Sequence, residues 1–419
     1  MVRMRDALKA LRNRWVISVL LLIQFTYGLS TITSSGNIFY NFYYLSNNSL
    51  LELDSTYLVV PGKNFGMVET ERYKNDKQQV EKLYRMLDHH QDVLSYGTYY
   101  EDIVILDEKK GPLDSRLMKE MTKSDGLDDP YINAIVIDEN YYHLLNLKLD
   151  KGQGFSRQDF DKNHNQQVNV LVGSYFKKYF KIGDFINDQY RINGFLPDKY
   201  IVNNNSTNVY LNLNKAMLIP MPEDRYNNYD SMYSRLFYGT VLKLREGANL
   251  NELTRIIQLP ESKVNISLNS LGKDVGENIK ATFYAQIPQL ILGCSFILFS
   301  IISIAITTIV SIMIRKREFG IKLALGESTR GILGQIIIEN SIVGVMGTCL
   351  SLAYFISKFN RLLQKSSEFD MASVLDFKMN GPIFLLIFII LMTILVCSSY
   401  IVYPYIRKQE IKSLIGGME

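Results

Sequence analysis

The chain contains the stretch RKREFGIKLALGESTRGILGQIIIEN, which runs from Arg315 to Asn340 and joins two long apolar runs. The run before it, residues 287–314, has no charged side chain and exceeds the roughly 20 residues that a membrane-spanning helix needs. The run after it, residues 331–356, carries one acid, Glu339. Five Lys and Arg residues crowd the connection, and the positive-inside tendency therefore predicts that it lies in the cytoplasm.

The connection, residues 315–330, is predicted to form a short amphipathic helix. Its apolar residues have the spacing that such a helix requires; they are Phe319, Ile321, Leu323, Ala324 and Leu325. Gly326 is suited to the end of the helix, because glycine readily adopts the left-handed backbone found there. A short helix held between two membrane helices is suited to carrying force from a soluble partner into the membrane.

Two further apolar runs lie near the chain termini, so the sequence predicts four transmembrane helices. The chain has 419 residues, is 47% hydrophobic and has a polar middle, which is typical of a membrane protein with one large soluble domain. We therefore predict an α-helical membrane protein with one large α+β extracytoplasmic domain between helices 1 and 2. The predicted segments are a cytoplasmic amphipathic segment (1–14), helix 1 (15–34), the extracytoplasmic domain (37–282), helix 2 (287–314), the coupling helix (315–330), helix 3 (331–356), an extracytoplasmic loop (357–381), helix 4 (382–404) and a cytoplasmic tail (405–419).

The first segment has two interpretations. Its basic residues precede an apolar run that begins at Trp15, an arrangement typical of an uncleaved first helix with an interfacial anchor. A basic start, an apolar centre and the small residues at 34–36 also fit a cleaved signal peptide. The length of the run and its polar residues Gln24, Thr26, Ser30 and Thr31 favour the uncleaved helix.

The predicted soluble domain divides by its secondary-structure pattern. Two strand–helix–strand patterns, within residues 37–110 and 231–275, suggest one split α/β subdomain that is interrupted in the sequence. The stretch between them, residues 111–230, reads as a β-rich insertion with turn-rich connections.

The sequence offers no catalytic or metal-binding constellation. The three cysteines, Cys294, Cys349 and Cys397, all lie in apolar runs, so no disulfide is expected in the soluble domain. The four histidines lack the spacing of a ligand set. No Ser/His/Asp or Cys/His arrangement is recognisable, and no G-x-x-x-x-G-K-[ST] phosphate loop is present. We therefore predict that the chain is not an enzyme, with no catalytic residue and no metal site.

Several motifs resemble those of the MacB/FtsX-type ABC transporter permeases. R-K-R-E-F-G-I-K-L-A-L-G-E-S (315–328) resembles the coupling motif Arg-x-Arg-Glu-x-Gly-hydrophobic-x-x-Ala-hydrophobic-Gly. K-G-Q-G-F-S-R-Q-D-F (151–160) and V-L-V-G-S-Y-F-K-K-Y-F-K-I-G-D-F-I (170–186) resemble the MacB-like periplasmic core domain. The segment Y-P-Y-I-R-K-Q-E-I-K-S-L-I-G-G (403–417) is similar to the family's closing segment, although the usual Pro-Ala pair is here Pro-Tyr. Together with the four predicted helices, the resemblance covers the whole chain.

The resemblance implies a mechanism and partners. A separate cytoplasmic ABC ATPase would bind the coupling helix and would hold the ATP and Mg, so that no cofactor is expected in this chain. The permease would pair with a second copy or a homologous permease, and an extracytoplasmic adaptor is possible. The residues implied in ATPase coupling are Arg317, Glu318, Phe319, Gly320, Lys322, Leu323, Ala324, Leu325 and Gly326. The residues expected at polar contacts within the membrane or at a dimer contact are Glu339, Asn340, Gly344 and Gly347.

The functional hypotheses follow from the same resemblance. The first is export of a peptide, toxin or antibiotic across a bacterial cytoplasmic membrane, with both chain termini in the cytoplasm. A regulatory membrane subunit that controls a cell-wall hydrolase is the alternative, and a lipoprotein-release permease is a further one. The large external domain favours export, because cell-division-type regulators usually carry a smaller one. The histidines and tyrosine pairs of the external domain are expected to have surface or packing roles.

Overall fold

The computed structural model describes ten stretches of the chain: residues 11–12, 15–61, 77–107, 113–121, 130–161, 167–202, 210–221, 239–257, 266–366 and 381–407. These stretches belong to two compact units. The helical unit comprises residues 1–41, 281–362 and 376–419, and the sheet domain comprises residues 42–280 and 363–375. The predicted N-terminal segment (apart from residues 11 and 12), the middle of the loop after helix 3 and most of the C-terminal tail lie outside the described residues.

The described secondary structure is helical at both ends of the chain and β-rich in the middle. The helices are α1 (Trp15–Asn47), α2 (Lys77–His89), α3 (Ser115–Glu120), α4 (Glu139–Leu145), α5 (Arg157–Phe160), α6 (Leu250–Ile257), α7 (Leu271–Ile314), α8 (Lys316–Ala324), α9 (Thr329–Ser366) and α10 (Gly381–Arg407). The strands are β1 (Thr56–Pro61), β2 (Val93–Ile105), β3 (Tyr131–Ile137), β4 (Lys151–Gly152), β5 (Val168–Gly173), β6 (Phe185–Ile186), β7 (Tyr190–Leu196), β8 (Tyr200–Val202), β9 (Tyr210–Asn212), β10 (Ala216–Pro220), β11 (Thr240–Leu244) and β12 (Ile266–Ser270).

Four of the described helices are long and apolar enough to cross a membrane. Their candidate spans are Trp15–Tyr40, Leu271–Ile314, Arg330–Lys358 and Gly381–Pro404. The chain is thus a multi-pass membrane protein. The first two helices are longer than the predicted spans, since α1 continues to Asn47 and α7 begins at Leu271. Hydropathy marks only the most apolar part of a helix, and the mixed polar and apolar residues that extend both helices carry a weaker signal.

The described strands of the sheet domain form one ten-stranded sheet and one small hairpin. The order of the sheet is β12-β1-β11-β2-β3-β10-β5-β7-β4, with β6 added on β7, and the hairpin joins β8 to β9. The 13-residue strand β2 pairs with two partners in succession: its first half pairs with β11 and its second half with β3, both antiparallel. One strand therefore links the two halves of the sheet.

The buried clusters of the sheet domain bear on the predicted division into two subdomains. One cluster of buried residues contains Leu58 and Val241 from the split α/β part and also Ile135, Leu171 and Leu196 from the predicted insertion. All five side chains are at most 1% exposed. Residues 111–230 thus share one cluster with the split α/β part, whereas a second cluster, which contains Val59, Leu83 and Leu242, has buried members only in the split part. The division into two subdomains stays a prediction. A pattern of strands along the sequence does not reveal which strands will pair, so the sharing of one cluster by both parts was not predicted.

Two apolar clusters hold the helical unit together. One joins α1, α7, α9 and α10; its buried members are Leu21, Phe25, Leu29, Ile304, Val343, Ile383, Ile387 and Ile394. The other joins α7, α8, α9 and α10; its buried members are Ala305, Ile312, Phe319, Ile332, Ile336 and Val402. The short helix α8 is thus packed against the bundle through this second cluster.

Candidate coupling site

Helix α8 is separated from α7 by a single residue, Arg315, whose backbone leaves the helical conformation. It ends at a left-handed glycine, Gly326, with φ of +93°. The amide of Gly326 donates to the carbonyl of Leu323 at 3.0 Å, and the amide of Glu327 donates to the carbonyl of Lys322 at 3.0 Å. These two bonds form a Schellman motif, which satisfies carbonyl groups at the helix end. The prediction that Gly326 ends the helix is confirmed.

The next helix, α9, begins directly after this turn. The hydroxyl of Ser328 accepts a hydrogen bond from the amide of Gly331 at 3.1 Å, which is the geometry of a helix N-cap. Lys322 contacts Gln335, and Arg315 contacts Glu339, so the order of contacts reverses between the two helices. Helices α8 and α9 therefore form an antiparallel hairpin, in which α8 lies along the first three turns of α9.

One face of α8 is buried against the bundle. Phe319 is 2% exposed and packs in the apolar cluster with Ile332 and Ile336 of α9. Gly320 is also buried, and Leu323 is partly buried against the same cluster. The predicted amphipathic helix is present, but this face is covered by the chain's own helices.

The opposite face of α8 is exposed and partly apolar. Leu325 is 82% exposed, and Ile321 is 51% exposed. Arg317, Ala324 and Gly326 are exposed beside them. The predicted coupling residues are therefore divided: Phe319, Gly320 and Leu323 attach the helix to the bundle, while the others lie on the free surface or in the polar contacts described next.

Five side chains form a closed ring of polar contacts between α8 and α9, which we call the polar ring: Arg315, Glu318, Lys322, Gln335 and Glu339. Arg315 donates two hydrogen bonds to Glu318, both of 2.9 Å, and one to Glu339 of 2.7 Å. Lys322 lies 3.3 Å from a carboxylate oxygen of Glu318 and donates to Gln335 at 2.9 Å. Gln335 closes the ring by donating to Glu339 at 3.3 Å.

The polar ring lies beside the apolar cluster that contains Phe319. Gln335 and Glu339 are each 1% exposed. The Arg315 guanidinium also lies 4.7 Å from the ring centroid of Phe319, within cation–π range. The hydrogen bond from Arg315 holds the pKa of Glu318 below its ordinary value; partial burial opposes this shift, and Lys322 supports it. Glu318 is therefore a carboxylate at neutral pH.

The intramembrane residues singled out from the sequence contact other helices of the same chain. Asn340 is 9% exposed, and its amide group lies 3.4 Å from the hydroxyl of Thr308 on α7. A Cβ atom on Gly344 would lie 2.7 Å from Leu391, and one on Gly347 would lie 2.9 Å from Phe25. These two glycines allow close packing within one chain. A contribution of Glu339, Asn340, Gly344 or Gly347 to a dimer contact stays a prediction.

Sequence reasoning missed one member of the polar ring, Gln335. Arg315 was predicted as one of the basic residues that determine topology and as the first residue of the coupling motif, but not as a partner of Glu339. The available signal was Gln335 itself, a polar residue one turn before Glu339 in an apolar run. Its partner was not predictable, because the contact depends on the hairpin formed at Gly326.

Comparisons with known proteins give one family match and two similar solved structures. Residues 290–411 match the FtsX-like permease C-terminal family. No curated protein matches the chain. Among solved structures, the periplasmic region of MacB from Actinobacillus actinomycetemcomitans is 14% identical, with a TM-score of 0.33, and the match covers 54% of this chain and 94% of that one. The extracellular domain of the noncanonic ABC-type transporter YknZ from Gram-positive bacteria is 10% identical, with a TM-score of 0.30, and the match covers 51% of this chain and 98% of that one.

The family match includes α8 and the whole polar ring, together with α9, α10 and most of α7. The resemblance to FtsX-type permeases that the coupling motif indicates is therefore confirmed for residues 290–411.

Proposed function

We propose that this chain, whose residues 290–411 form an FtsX-like permease domain, is the membrane subunit of a MacB/FtsX-type ABC transporter. A separate ATPase binds α8 on the cytoplasmic side. Its ATP-driven motion passes through the membrane helices to the sheet domain on the other side. ATP and Mg are held by the ATPase, and the permease supplies the connection.

The observation that carries the proposal is the exposed apolar surface of α8. Leu325 and Ile321 are 82% and 51% exposed although they lie in a strongly basic segment. Such a segment belongs in water beside the membrane and not in its apolar core, because charged side chains are costly there. Exposed apolar side chains rimmed by polar ones are typical of a protein interaction surface. The ATPase is proposed to cover this surface.

The packing of α8 supports a mechanical role. Its buried face, centred on Phe319, contacts residues of α7, α9 and α10 in one apolar cluster. Protein interiors are close-packed and transmit strain, so a displacement of α8 would be felt by all three helices. A partner that moves α8 would therefore move the ends of three of the four candidate spans.

The proposed location is the cytoplasmic membrane of a bacterium, with both termini inside. The basic residues of the α7–α9 connection and of the chain ends support this orientation by the positive-inside tendency. The sheet domain then lies outside, where it would handle a peptide, toxin or antibiotic. A second permease copy and an external adaptor complete the proposed assembly.

Co-purification tests the proposal. The tagged chain is purified from membranes of its own host in a mild detergent, and the bound proteins are identified by mass spectrometry. We expect a stoichiometric ATPase that contains a phosphate loop, and Leu325→Asp is expected to abolish its binding. Leu94→Asp makes the same change at a 53% exposed leucine of the sheet domain and should retain the ATPase.

Absence of any ATPase from the unsubstituted chain would refute the proposal. A co-purified cell-wall hydrolase or hydrolase activator would favour the regulatory alternative over export.

A further inference from the structure

We infer that Arg315 and Gln335 are positioning residues that hold α8 at a fixed angle to α9. A push on the exposed face of α8 then turns both helices together. The purpose of this arrangement rests on the proposed function, whereas the fixed angle itself can be measured without any partner.

The polar ring contacts α8 at two separate points. Arg315, at the beginning of α8, reaches Glu339, and Lys322, near its end, reaches Gln335. Seven residues separate Arg315 from Lys322, which corresponds to about 10 Å along a helix. Two contacts so far apart determine the angle between α8 and α9, whereas a single contact would leave α8 able to pivot about that point.

The apolar cluster alone does not determine the angle between α8 and α9. Packing of Phe319 against Ile332 and Ile336 favours burial but is not directional. Hydrogen bonds between charged groups have strict geometry, and the planar guanidinium of Arg315 is matched to the Glu318 carboxylate by two parallel bonds. The cluster therefore attaches α8, and the polar ring orients it.

Both connections of α8 to its neighbours are short, and their backbone hydrogen bonds lie at the helix ends and not along the contact between α8 and α9. The helix is joined to α7 through Arg315 alone and to α9 through a turn at Gly326, around which a Cβ atom would meet open space. The polar ring spans the second connection, and one of its members forms the first. We expect loss of the ring to leave α8 attached and to widen the range of angles that it adopts at both connections.

Arg315→Lys separates positioning from charge. Lysine keeps the positive charge but lacks the planar fork, so it cannot bind Glu318 bidentately while it also reaches Glu339. Gln335→Leu is the second variant; it preserves the approximate size of a buried side chain and removes both ring contacts of Gln335. Arg317→Lys is the matched control, because it makes the same chemical change at an exposed arginine outside the ring.

The angle is measured by the distance between two spin labels in the full chain in lipid nanodiscs. The labels are placed on Ala324, exposed at the end of α8, and on Met346, 49% exposed on α9. The three native cysteines are replaced by serine. We expect one narrow distance distribution in the unsubstituted chain and in Arg317→Lys. Arg315→Lys and Gln335→Leu should lose the narrow distribution while ATPase co-purification with the unlabelled chain is retained.

Narrow distributions in both ring variants would overturn the inference. A failure of the unsubstituted chain to bind any ATPase would instead refute the proposed function and leave the fixed angle standing. Because Gln335→Leu changes no charge, a broad distribution in that variant would also exclude a purely electrostatic role for the ring.

Discussion

The Arg315 guanidinium lies 2.7 Å from the carboxylate of Glu339, although 24 residues separate them in the chain. Glu339 is 1% exposed, whereas Arg315 retains 16% of its side-chain surface. Arg315→Met would leave this buried carboxylate without its cation, and breaking a buried ion pair in this way costs about 3–5 kcal/mol. The double substitution Arg315→Met/Glu339→Leu removes both charges and should recover most of that loss. Thermal unfolding in one detergent measures both variants, and a double variant no more stable than Arg315→Met would contradict the pairing.

The contact between Gly347 and Phe25 predicts a second stability effect. A Cβ atom on Gly347 would lie 2.9 Å from Cδ1 and 3.2 Å from Cβ of Phe25. Gly347→Ala should therefore lower the unfolding temperature, since overpacking costs about 1–3 kcal/mol. The added cost should be smaller in a Phe25→Ala background, where the aromatic ring is gone. Equal costs in both backgrounds would contradict an intrachain contact. A change of oligomeric state in Gly347→Ala, measured by light scattering, would support the predicted dimer contact.

The shared core of the sheet domain predicts that residues 111–230 cannot be removed cleanly. Their deletion would expose Leu58 and Val241, which pack against Ile135 in one cluster. We expect the sheet domain of the deleted chain to be degraded rapidly in limited proteolysis. The single substitution Ile135→Ala should cost about 2–5 kcal/mol, as is usual for a fully buried aliphatic side chain. Ile103→Ala, at a 38% exposed position of the neighbouring strand, is the control and should change stability little. A protease-resistant deleted chain would support the predicted division into separate subdomains.

The proposed orientation predicts which cysteines react with an impermeant thiol reagent in whole cells. Ser328→Cys, in the turn before α9, should remain unlabelled, and Lys181→Cys, exposed in the sheet domain, should be labelled. Both substitutions are made in a chain whose native cysteines are replaced by serine. Labelling of both after the cells are opened is the control for accessibility. Reversed labelling in whole cells would overturn the orientation.

Local features were predictable from the sequence because a few neighbouring residues determine them. Helix α6 (Leu250–Ile257) is the helix of the second predicted strand–helix–strand pattern, and Asn249 caps it by accepting a hydrogen bond from the amide of Glu252 at 3.2 Å. The end of α8 at Gly326 is equally local. The four candidate membrane helices were predictable for the same reason, since a long apolar run carries its own signal.

Features that depend on distant partners were not predictable. Helix α4 was missed because its sequence, ENYYHLL, has no clear apolar period. Its N-cap, Asp138, bonds the amide of Tyr141 and also the amide and hydroxyl of Thr98, 40 residues away. The double pairing of β2 and the polar ring are similar cases. Each depends on which segments meet in three dimensions, and residue spacing does not reveal this.

Capture of the partner at Leu325 tests the central claim most directly. A photo-crosslinking amino acid replaces Leu325 in living cells of the native host, and the crosslinked protein is identified by mass spectrometry. The same amino acid at Leu94 is the control. We expect the Leu325 position to capture one protein that contains a G-x-x-x-x-G-K-[ST] phosphate loop, and the Leu94 position to capture no such protein. Capture of a partner without a phosphate loop, or of no partner, would contradict the assignment of α8 as the ATPase-coupling helix.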